Sequence, residues 1–217
     1  MMNLNNVIVS IDGPAGSGKQ RIAKYIAKKY QFFHLDSGVL YRRLSLNIIN
    51  KNINYKNQLI LKKYISSLKS LSVRNHKNLR KENISKISSQ VAKSLIVRNF
   101  INKQQRKIIN KKLKVFSGCV IDGRDIGSKV FKNAKIKLFI NVKSEIRAKR
   151  RHKQLIGMGE KSIYSRILKE INLRDKQDIT RKQSPLIIPK GAIIIDNSND
   201  FLVTLKNLRK ILPKLIK

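Results

Sequence analysis

The segment from residue 7 to residue 30 constrains the fold more than any other part of the chain. Its first part, at 7–11, is a short run of mostly β-branched apolar residues, which predicts a buried strand. A glycine-rich loop of the pattern G-x-x-x-x-G-K follows at 13–19, and apolar residues at helical spacing continue over 21–30. A strand, such a loop and a helix in this order predict a phosphate-binding loop in an α/β protein.

The chemistry of the loop is that of an anion cradle. Its glycines let successive backbone N–H groups point inward, and the following helix adds positive potential at its N-terminus. Lys19 is placed to reach the outer phosphates of a nucleotide. The usual pattern ends in Ser or Thr, whose hydroxyl ligates Mg²⁺, but here Gln20 and Arg21 follow the lysine. Either the metal is held mainly by phosphates and water, or the metal site is impaired.

The charge of the chain is strongly positive, with 49 Lys and Arg against 12 Asp and Glu, a net charge of +37 in 217 residues. Such a charge suggests a polyanion partner such as nucleic acid. The lysines are spread over the whole chain and accompany many Ile and Asn residues, which A/T-rich coding DNA would also produce. We favour that second explanation and expect only non-specific nucleic-acid binding.

Targeting and redox features indicate a cytoplasmic protein without a membrane segment. No apolar run approaches the length of a membrane span, and the first residues lack a signal-peptide pattern. Cys119 is the single cysteine, so no disulfide can form within one chain.

The rest of the chain alternates strand-like and helical patterns. Apolar runs recur at 32–35, 116–121, 135–142 and 191–196, and helical patterns lie at 39–49, 59–65, 91–109, 144–155, 162–176 and 202–215. This alternation predicts a parallel sheet covered by helices on both faces. The segment 50–113 has little strand signal and is interpreted as a helical excursion. His34, inside an apolar run, is interpreted as a packed residue.

Charged residues collect where the predicted strands end and on one later helix. The strand-end residues are Asp36, Ser37, Asp122, Arg124 and Asp125, and the helix carries Arg174, Asp178 and Arg181 at i, i+4 and i+7, on one face. Such a face is commonly a surface salt-bridge ladder. Because a phosphate loop precedes it, we favour convergence on a transferring phosphoryl group.

Taken together, these motifs resemble the bacterial cytidylate kinase family of nucleoside monophosphate kinases. The segments that carry the resemblance are 11–19, 35–42, 89–92, 122–127 and 150–155, with Arg174-Asp175, Asp178, Arg181 and Pro185-Leu186. It implies a single, monomeric P-loop domain with three α/β/α layers around a central parallel sheet. Its core would take about 1–49, 114–150 and 185–217, a helical monophosphate-binding insert about 50–113, and a short helical lid about 151–184.

The resemblance also implies transfer of a phosphoryl group from ATP, with Mg²⁺, to CMP or dCMP. The implied ATP-binding residues are Gly13, Pro14, Ala15, Gly16, Ser17, Gly18, Lys19, Gln20 and Arg21. Lys19 and Arg124 would act in catalysis together with Arg150 and Arg151, which resemble lid arginines that close on the transferring group and exclude water.

The implied CMP-binding residues are Ser37, Tyr41, Arg42, Ser89, Arg98, Asp125, Arg174, Asp178 and Arg181. Arg42 would bind the acceptor phosphate, and Ser89, Arg98 and Asp125 would read the cytosine edge. Asp178 would accept hydrogen bonds from the ribose hydroxyls.

Two departures from the family pattern leave alternatives open. Gln20 and Arg21 replace the small or hydroxyl residues of the family, and Gln20 is a poor, neutral ligand for Mg²⁺. The segment 72–83 is too short for most of the family's small β-sheet, so we expect a smaller, more helical insert. The alternatives are a kinase with another acceptor, such as UMP, and a weak or repurposed P-loop protein with a basic RNA-binding surface.

Overall fold

A computed structural model describes residues 6–74 and 77–216 of the chain. The strands are β1 Val7–Asp12, β2 Phe33–Asp36, β3 Gly118–Asp122, β4 Ile136–Asn141 and β5 Ile193–Asp196. The helices are α1 Lys19–Tyr30, α2 Ser37–Asn50, α3 Gln58–Ser67, α4 Glu82–Val91, α5 Leu95–Lys112, α6 Ser144–Ile156, α7 Tyr164–Thr180 and α8 Phe201–Ile216. The chain divides into two compact units, a sheet unit up to His34 and from Ser117 onward, and a helical unit, Leu35–Phe116.

The sheet has five strands in the order β2-β3-β1-β4-β5, and the strands are parallel, as the sequence predicts. β1 is the central strand, with Ile11 opposite Asp122 of β3 and Asp12 opposite Phe139 of β4. The carboxyl ends of parallel strands lie at one edge of a sheet, where open α/β sheets bind their ligands. The phosphate loop leaves β1 at that edge.

The core of the sheet unit explains why β1 and α1 form where they do. Val9 and Ile11 of β1 are fully buried, and Ile22 and Ile26 of α1 pack in the same cluster. Leu208 of α8 is also fully buried there. Burying such side chains contributes about 1.5–3 kcal/mol each, so the strand that leads into the phosphate loop is firmly anchored.

The helical unit has its own core. Leu40, Leu44 and Ile48 of α2 pack in one buried cluster with Leu61 of α3 and Ile101 of α5. The insert is predicted to start near residue 50, and the second unit of the structure begins at Leu35. The reason is that the apolar face of α2 is buried in the core of the helical unit. The boundaries of insert and lid stay predictions.

Two helices differ in extent from the sequence patterns. The helix predicted over 91–109 is interrupted, because Ser94 adopts an extended backbone and starts α5 as a separate helix. α7 continues to Thr180, past the predicted end at 176. Within the described part of 50–113 no strand is present, in agreement with the predicted helical excursion. Among the helices of the described residues, none combines the length and apolarity that a membrane span needs.

Candidate active site

At two positions of the phosphate loop between β1 and α1, the backbone lies so close to neighbouring atoms that only glycine fits. A Cβ at Gly13, where φ is +145°, would lie 2.4 Å from the carbonyl oxygen of Ile140 in β4. A Cβ at Gly18, where φ is +86°, would lie 2.4 Å from the side-chain nitrogen of Asn197. A larger residue at either position would move the loop away from its supports, so both glycines fix the path of the cradle.

Lys19 is buried inside this loop, with 5% of its surface exposed. Its Nζ donates to the carbonyl oxygen of Pro14 at 2.6 Å and to Oγ of Ser17 at 3.3 Å. Burial lowers the pKa of Lys19 well below its ordinary value, and the charge of Arg124 lowers it further. A bound phosphate would supply the negative charge that favours the protonated amine.

Two buried side chains brace the loop, and sequence reasoning assigned a role to neither. Nδ2 of Asn197 donates to the carbonyl oxygen of Ser17 at 2.9 Å, and Thr204 orients the amide by donating to its Oδ1 at 2.8 Å. Nη1 of Arg147 donates to the carbonyl oxygen of Ala15 at 3.0 Å. Long-range contacts of this kind leave no spacing pattern in the sequence.

Arg147 also joins α6 to α7. It forms a bidentate ion pair with Asp175, with Nη1 donating to Oδ1 at 3.1 Å and Nη2 to Oδ2. Its Nε donates to the carbonyl oxygen of Val142 at 2.9 Å. Only 4% of the Arg147 side chain is exposed. The arginine therefore ties the phosphate loop, the end of β4 and the α7 helix together.

The two residues that follow Lys19 lie in different surroundings. Gln20 is half-buried in the first turn of α1. Arg21 is exposed, and its guanidinium lies 3.8 Å from the centroid of the Phe201 ring at the start of α8. The structure thus places Arg21 on Phe201, and ATP binding by Gln20 and Arg21 stays a prediction.

The structure brings together the arginines predicted on one helix and after β3. Arg181 was predicted on the same helical face as Arg174 and Asp178, but α7 ends at Thr180 and Arg181 follows it with an extended backbone. Nε of Arg124 donates to Oδ2 of Asp178 at 3.1 Å, and Nη1 of Arg181 donates to Oδ1 at 2.9 Å. Burial raises the pKa of Asp178, but the charges of Arg124, Arg181 and Arg174 outweigh it and hold the pKa below its ordinary value. This arginine cluster, Arg124, Arg174 and Arg181 around Asp178, is suited to binding a phosphate ester.

Two acidic residues end β1, which leads into the loop, and its neighbour β3. Asp122, at the end of β3, contacts Nε2 of His34 through Oδ1 at 2.6 Å. His34 was interpreted as a packed residue, and it is half-buried and contacts a carboxylate. Asp12, at the end of β1, is fully buried and accepts hydrogen bonds from the backbone of Ile126 at 2.8 Å and of Gly127 at 2.7 Å.

The predicted lid arginines lie outside this cluster. Nη2 of Arg150 donates to the carbonyl oxygens of Ser198 at 3.1 Å and Asn199 at 2.8 Å. Nη1 of Arg151 donates to Oε1 of Gln154 at 3.0 Å. Both arginines are exposed, so contact with a transferring phosphoryl group stays a prediction for them.

The remaining candidates lie in the helical unit. Ser37 is buried in the first turn of α2, and Ser89 is half-buried on α4. Nη2 of Arg42 donates to Oδ2 of Asp36 at 2.8 Å. Arg98 is 2% exposed, and its guanidinium lies 5.9 Å from the centroid of the Tyr41 ring. Arginine is almost never buried to this degree unless it is paired.

The fold and the phosphate loop define a P-loop kinase of the α/β/α class. The family model for cytidylate kinase matches residues 9–203. The chain belongs to the cytidylate kinase family. The cytidylate kinase of Fusobacterium nucleatum subsp. nucleatum is 38% identical over 206 residues, which cover 90% of this chain and 92% of that protein. The cytidylate kinase of Rickettsia felis is 38% identical over 193 residues, covering 89% and 85%.

One solved structure is informative about the fold alone. The crystal structure of TT1252 from Thermus thermophilus has a TM-score of 0.54 and 13% sequence identity, and the match covers 97% of this chain and 98% of that one. It supports the α/β/α architecture and carries no argument about the acceptor substrate.

Proposed function

We propose that this protein transfers the γ-phosphoryl group of ATP to CMP or dCMP, giving ADP and CDP or dCDP. The observation that carries the proposal is the set of charges in the sheet unit. Lys19 is buried in the phosphate loop, and Arg124 and Arg181 converge on Asp178. Phosphoryl transfer needs positioning and neutralisation of charge more than covalent chemistry, and these residues supply both.

On the donor side, the loop amides from Gly13 to Gly18 and the Lys19 ammonium would hold the ATP phosphates. Mg²⁺ would neutralise phosphate charge when bound. Among the described residues no group of three or more His, Cys, Asp or Glu could hold a metal ion. Asp122 lies close enough to Lys19 to act on its charge and offers a carboxylate oxygen, while Gln20 offers only a neutral amide oxygen. The ion would therefore take most of its ligands from phosphates and water.

On the acceptor side, Arg124 and Arg181 would bind the CMP phosphate, and Asp178 orients both arginines. A carboxylate can accept about four hydrogen bonds, so Asp178 can accept from ribose hydroxyls as well as from the two arginines. Arg174 adds positive charge to the same cluster. Asp125 is 5% exposed and is assigned to the cytosine edge.

The other residues assigned to the acceptor belong to the helical unit. Arg42 is assigned to the acceptor phosphate, and Ser89 and Arg98 to the cytosine, which presents both donors and acceptors. Ser37 and Tyr41 are assigned to the acceptor nucleotide as well. Arg150 and Arg151 are assigned to the transferring group. We further propose that the enzyme acts as a monomer in the cytoplasm, and light scattering of the purified protein tests the oligomeric state.

The test is a coupled ADP-release assay with ATP and Mg²⁺ that compares CMP, dCMP, UMP and AMP, with Gln20→Ser in parallel. Turnover with CMP and dCMP well above the other two supports the proposal. Equal or greater turnover with UMP would overturn the assignment of the acceptor. No turnover in the parent but activity in Gln20→Ser would locate the defect at the metal site. Inactivity of both proteins, with salt-sensitive RNA binding, would indicate a repurposed fold.

A further inference from the structure

A buried carboxylate joins the strand that carries the phosphate loop to the turn that follows Arg124 and Asp125. Asp12 is the last residue of β1 and directly precedes Gly13. Its Oδ1 accepts the N–H of Ile126 at 2.8 Å and its Oδ2 accepts the N–H of Gly127 at 2.7 Å. These two amides begin a short π-helical turn, Ile126–Val130. We infer that Asp12 is a positioning residue that sets the place of the acceptor residues Arg124 and Asp125 relative to the phosphate loop.

The local geometry shows that the turn depends on this remote carboxylate. The first N–H groups of a helical turn have no partner inside it and need an external acceptor. Asp125, the residue before the turn, makes no capping hydrogen bond with its own side chain. Asp12 performs that task from a neighbouring strand, so the Asp125 carboxylate is not used to cap the turn.

The opposite side of the contact is equally constrained. A Cβ at Gly127 would lie 2.6 Å from Oγ of Ser10 and 3.2 Å from Oδ2 of Asp12. Ser10 and Asp12 are both fully buried. The turn therefore approaches β1 as closely as a glycine backbone allows, and a methyl group at position 127 would push it away.

We call Ile126–Val130 the acceptor turn, because it follows Arg124 and Asp125. The phosphate loop has three supports that do not involve Asp12. Asn197 holds the carbonyl oxygen of Ser17, Arg147 holds that of Ala15, and Lys19 holds that of Pro14. Removal of the Asp12 carboxylate should therefore disturb the acceptor turn more than the donor loop. The inference rests on the proposed function, since it assigns Arg124 and Asp125 to the acceptor.

The first test is Asp12→Asn, which keeps size and shape but leaves only one acceptor oxygen for two N–H groups. We expect the KM for CMP to rise on the order of tenfold, while the KM for ATP changes by less than about twofold. Gly127→Ala should give the same pattern from the other side of the contact. The matched control is Asp200→Asn, because Asp200 is an exposed carboxylate that caps the start of α8. It should leave both KM values unchanged.

A second measurement is independent of turnover. Hydrogen exchange of the parent in the absence of nucleotide should show protected amides at Ile126 and Gly127. In Asp12→Asn these two amides should exchange faster than in the parent, while the amides of β1 keep their protection. An unchanged KM for CMP in Asp12→Asn, or an equal rise of both KM values, would overturn the inference. If the parent has no activity with CMP, the proposed function fails, and the exchange pattern still decides whether Asp12 positions the turn.

Discussion

Arg124 and Asp178 are joined by a hydrogen-bonded ion pair, with Nε of the arginine 3.1 Å from Oδ2 of the carboxylate. They are 54 positions apart in the sequence, at the end of a strand and near the end of a helix. Arg181 donates to the other oxygen of the same carboxylate. One acidic residue thus holds two arginines, one on each of its carboxylate oxygens, and charge-assisted pairs of this kind fix the positions of both guanidinium groups.

Asp178→Asn should therefore weaken acceptor binding more than donor binding. The amide offers one acceptor oxygen for two guanidinium groups and loses the charge that draws them together. We expect the KM for CMP to rise about tenfold to a hundredfold, which corresponds to the loss of one or two charge-assisted hydrogen bonds. The measurement is steady-state kinetics with CMP and ATP varied in turn. Glu170→Gln is the control, because Glu170 pairs with Arg166 on the exposed face of the same helix. An unchanged KM for CMP in Asp178→Asn would contradict the role of the cluster.

Arg147→Ala should lower the free energy of unfolding far more than loss of an exposed ion pair on α7. Removal of one partner of a buried pair leaves the other charge uncompensated and costs about 3–5 kcal/mol. Arg166→Ala, which breaks the exposed pair with Glu170, should cost about 0–1 kcal/mol. Urea unfolding of both variants measures the difference. If Arg147→Ala does not fold, Asp175→Asn keeps the arginine and tests the same pair. Equal losses in the buried and exposed variants would contradict this account.

A conservative substitution of Arg147 tests its contact with the phosphate loop separately from its contribution to folding. Because Nη1 holds the carbonyl oxygen of Ala15, Arg147→Lys should raise the KM for ATP. A lysine ammonium cannot donate at once to the carbonyls of Ala15 and Val142 and to both oxygens of Asp175, as the planar guanidinium does. We expect about threefold to tenfold, for one weakened hydrogen bond, with the KM for CMP little changed. A rise in the KM for CMP alone would contradict the assignment.

Arg21→Ala tests whether this residue acts through Phe201 or through the nucleotide. A guanidinium over an aromatic ring contributes about 0.5–1 kcal/mol at an exposed site. If Arg21 acts through Phe201, we expect a loss of that size in the free energy of unfolding and a KM for ATP within about twofold of the parent. Phe201→Leu should give the same loss, and the double variant no further loss. A KM for ATP that rises tenfold in Arg21→Ala alone would instead place the arginine on the phosphates.

The parts of the fold that follow from local patterns could be predicted. The apolar run before Gly13 and the glycine spacing predicted β1, the loop and α1, because each depends on residues close in sequence. The break at Ser94 was missed, since the apolar residues on its two sides continue at helical spacing while the backbone does not.

The contacts that join distant segments could not be predicted in the same way. Arg147, Arg150 and Arg151 lie on one strongly basic helix, and spacing alone does not say which of them is buried. The structure buries Arg147, because only its side chain meets the carbonyl of Ala15 and the carboxylate of Asp175. From the sequence, Asp12 is likewise only the last residue of a strand. Its contact with the turn at Ile126 becomes visible only in the structure.

The pH dependence of CMP binding should report the state of Asp12. Burial raises the pKa of Asp12 from 3.8 to about 6, although the N–H groups of Gly127 and Ile126 and the charge of Lys19 oppose the shift. As the pH falls through about 6, the carboxylate takes up a proton and can no longer accept on both oxygens. The folded state binds this proton more tightly than the unfolded state, so the contribution of Asp12 to the free energy of unfolding increases as the pH falls from about 6 towards 3.8. The loss of CMP binding should therefore not come with unfolding caused by Asp12.

The measurement is the KM for CMP between pH 7.5 and 5.5 in the parent and in Asp12→Asn, with thermal unfolding at each pH. The CMP phosphate itself titrates near a pKa of about 6, but it does so equally for both proteins. The ratio of the two KM values should be large at pH 7.5 and should fall towards one below pH 6, because the protonated parent then resembles the variant. A ratio that stays constant over this range would show that the Asp12 carboxylate does not control the acceptor turn through its charge.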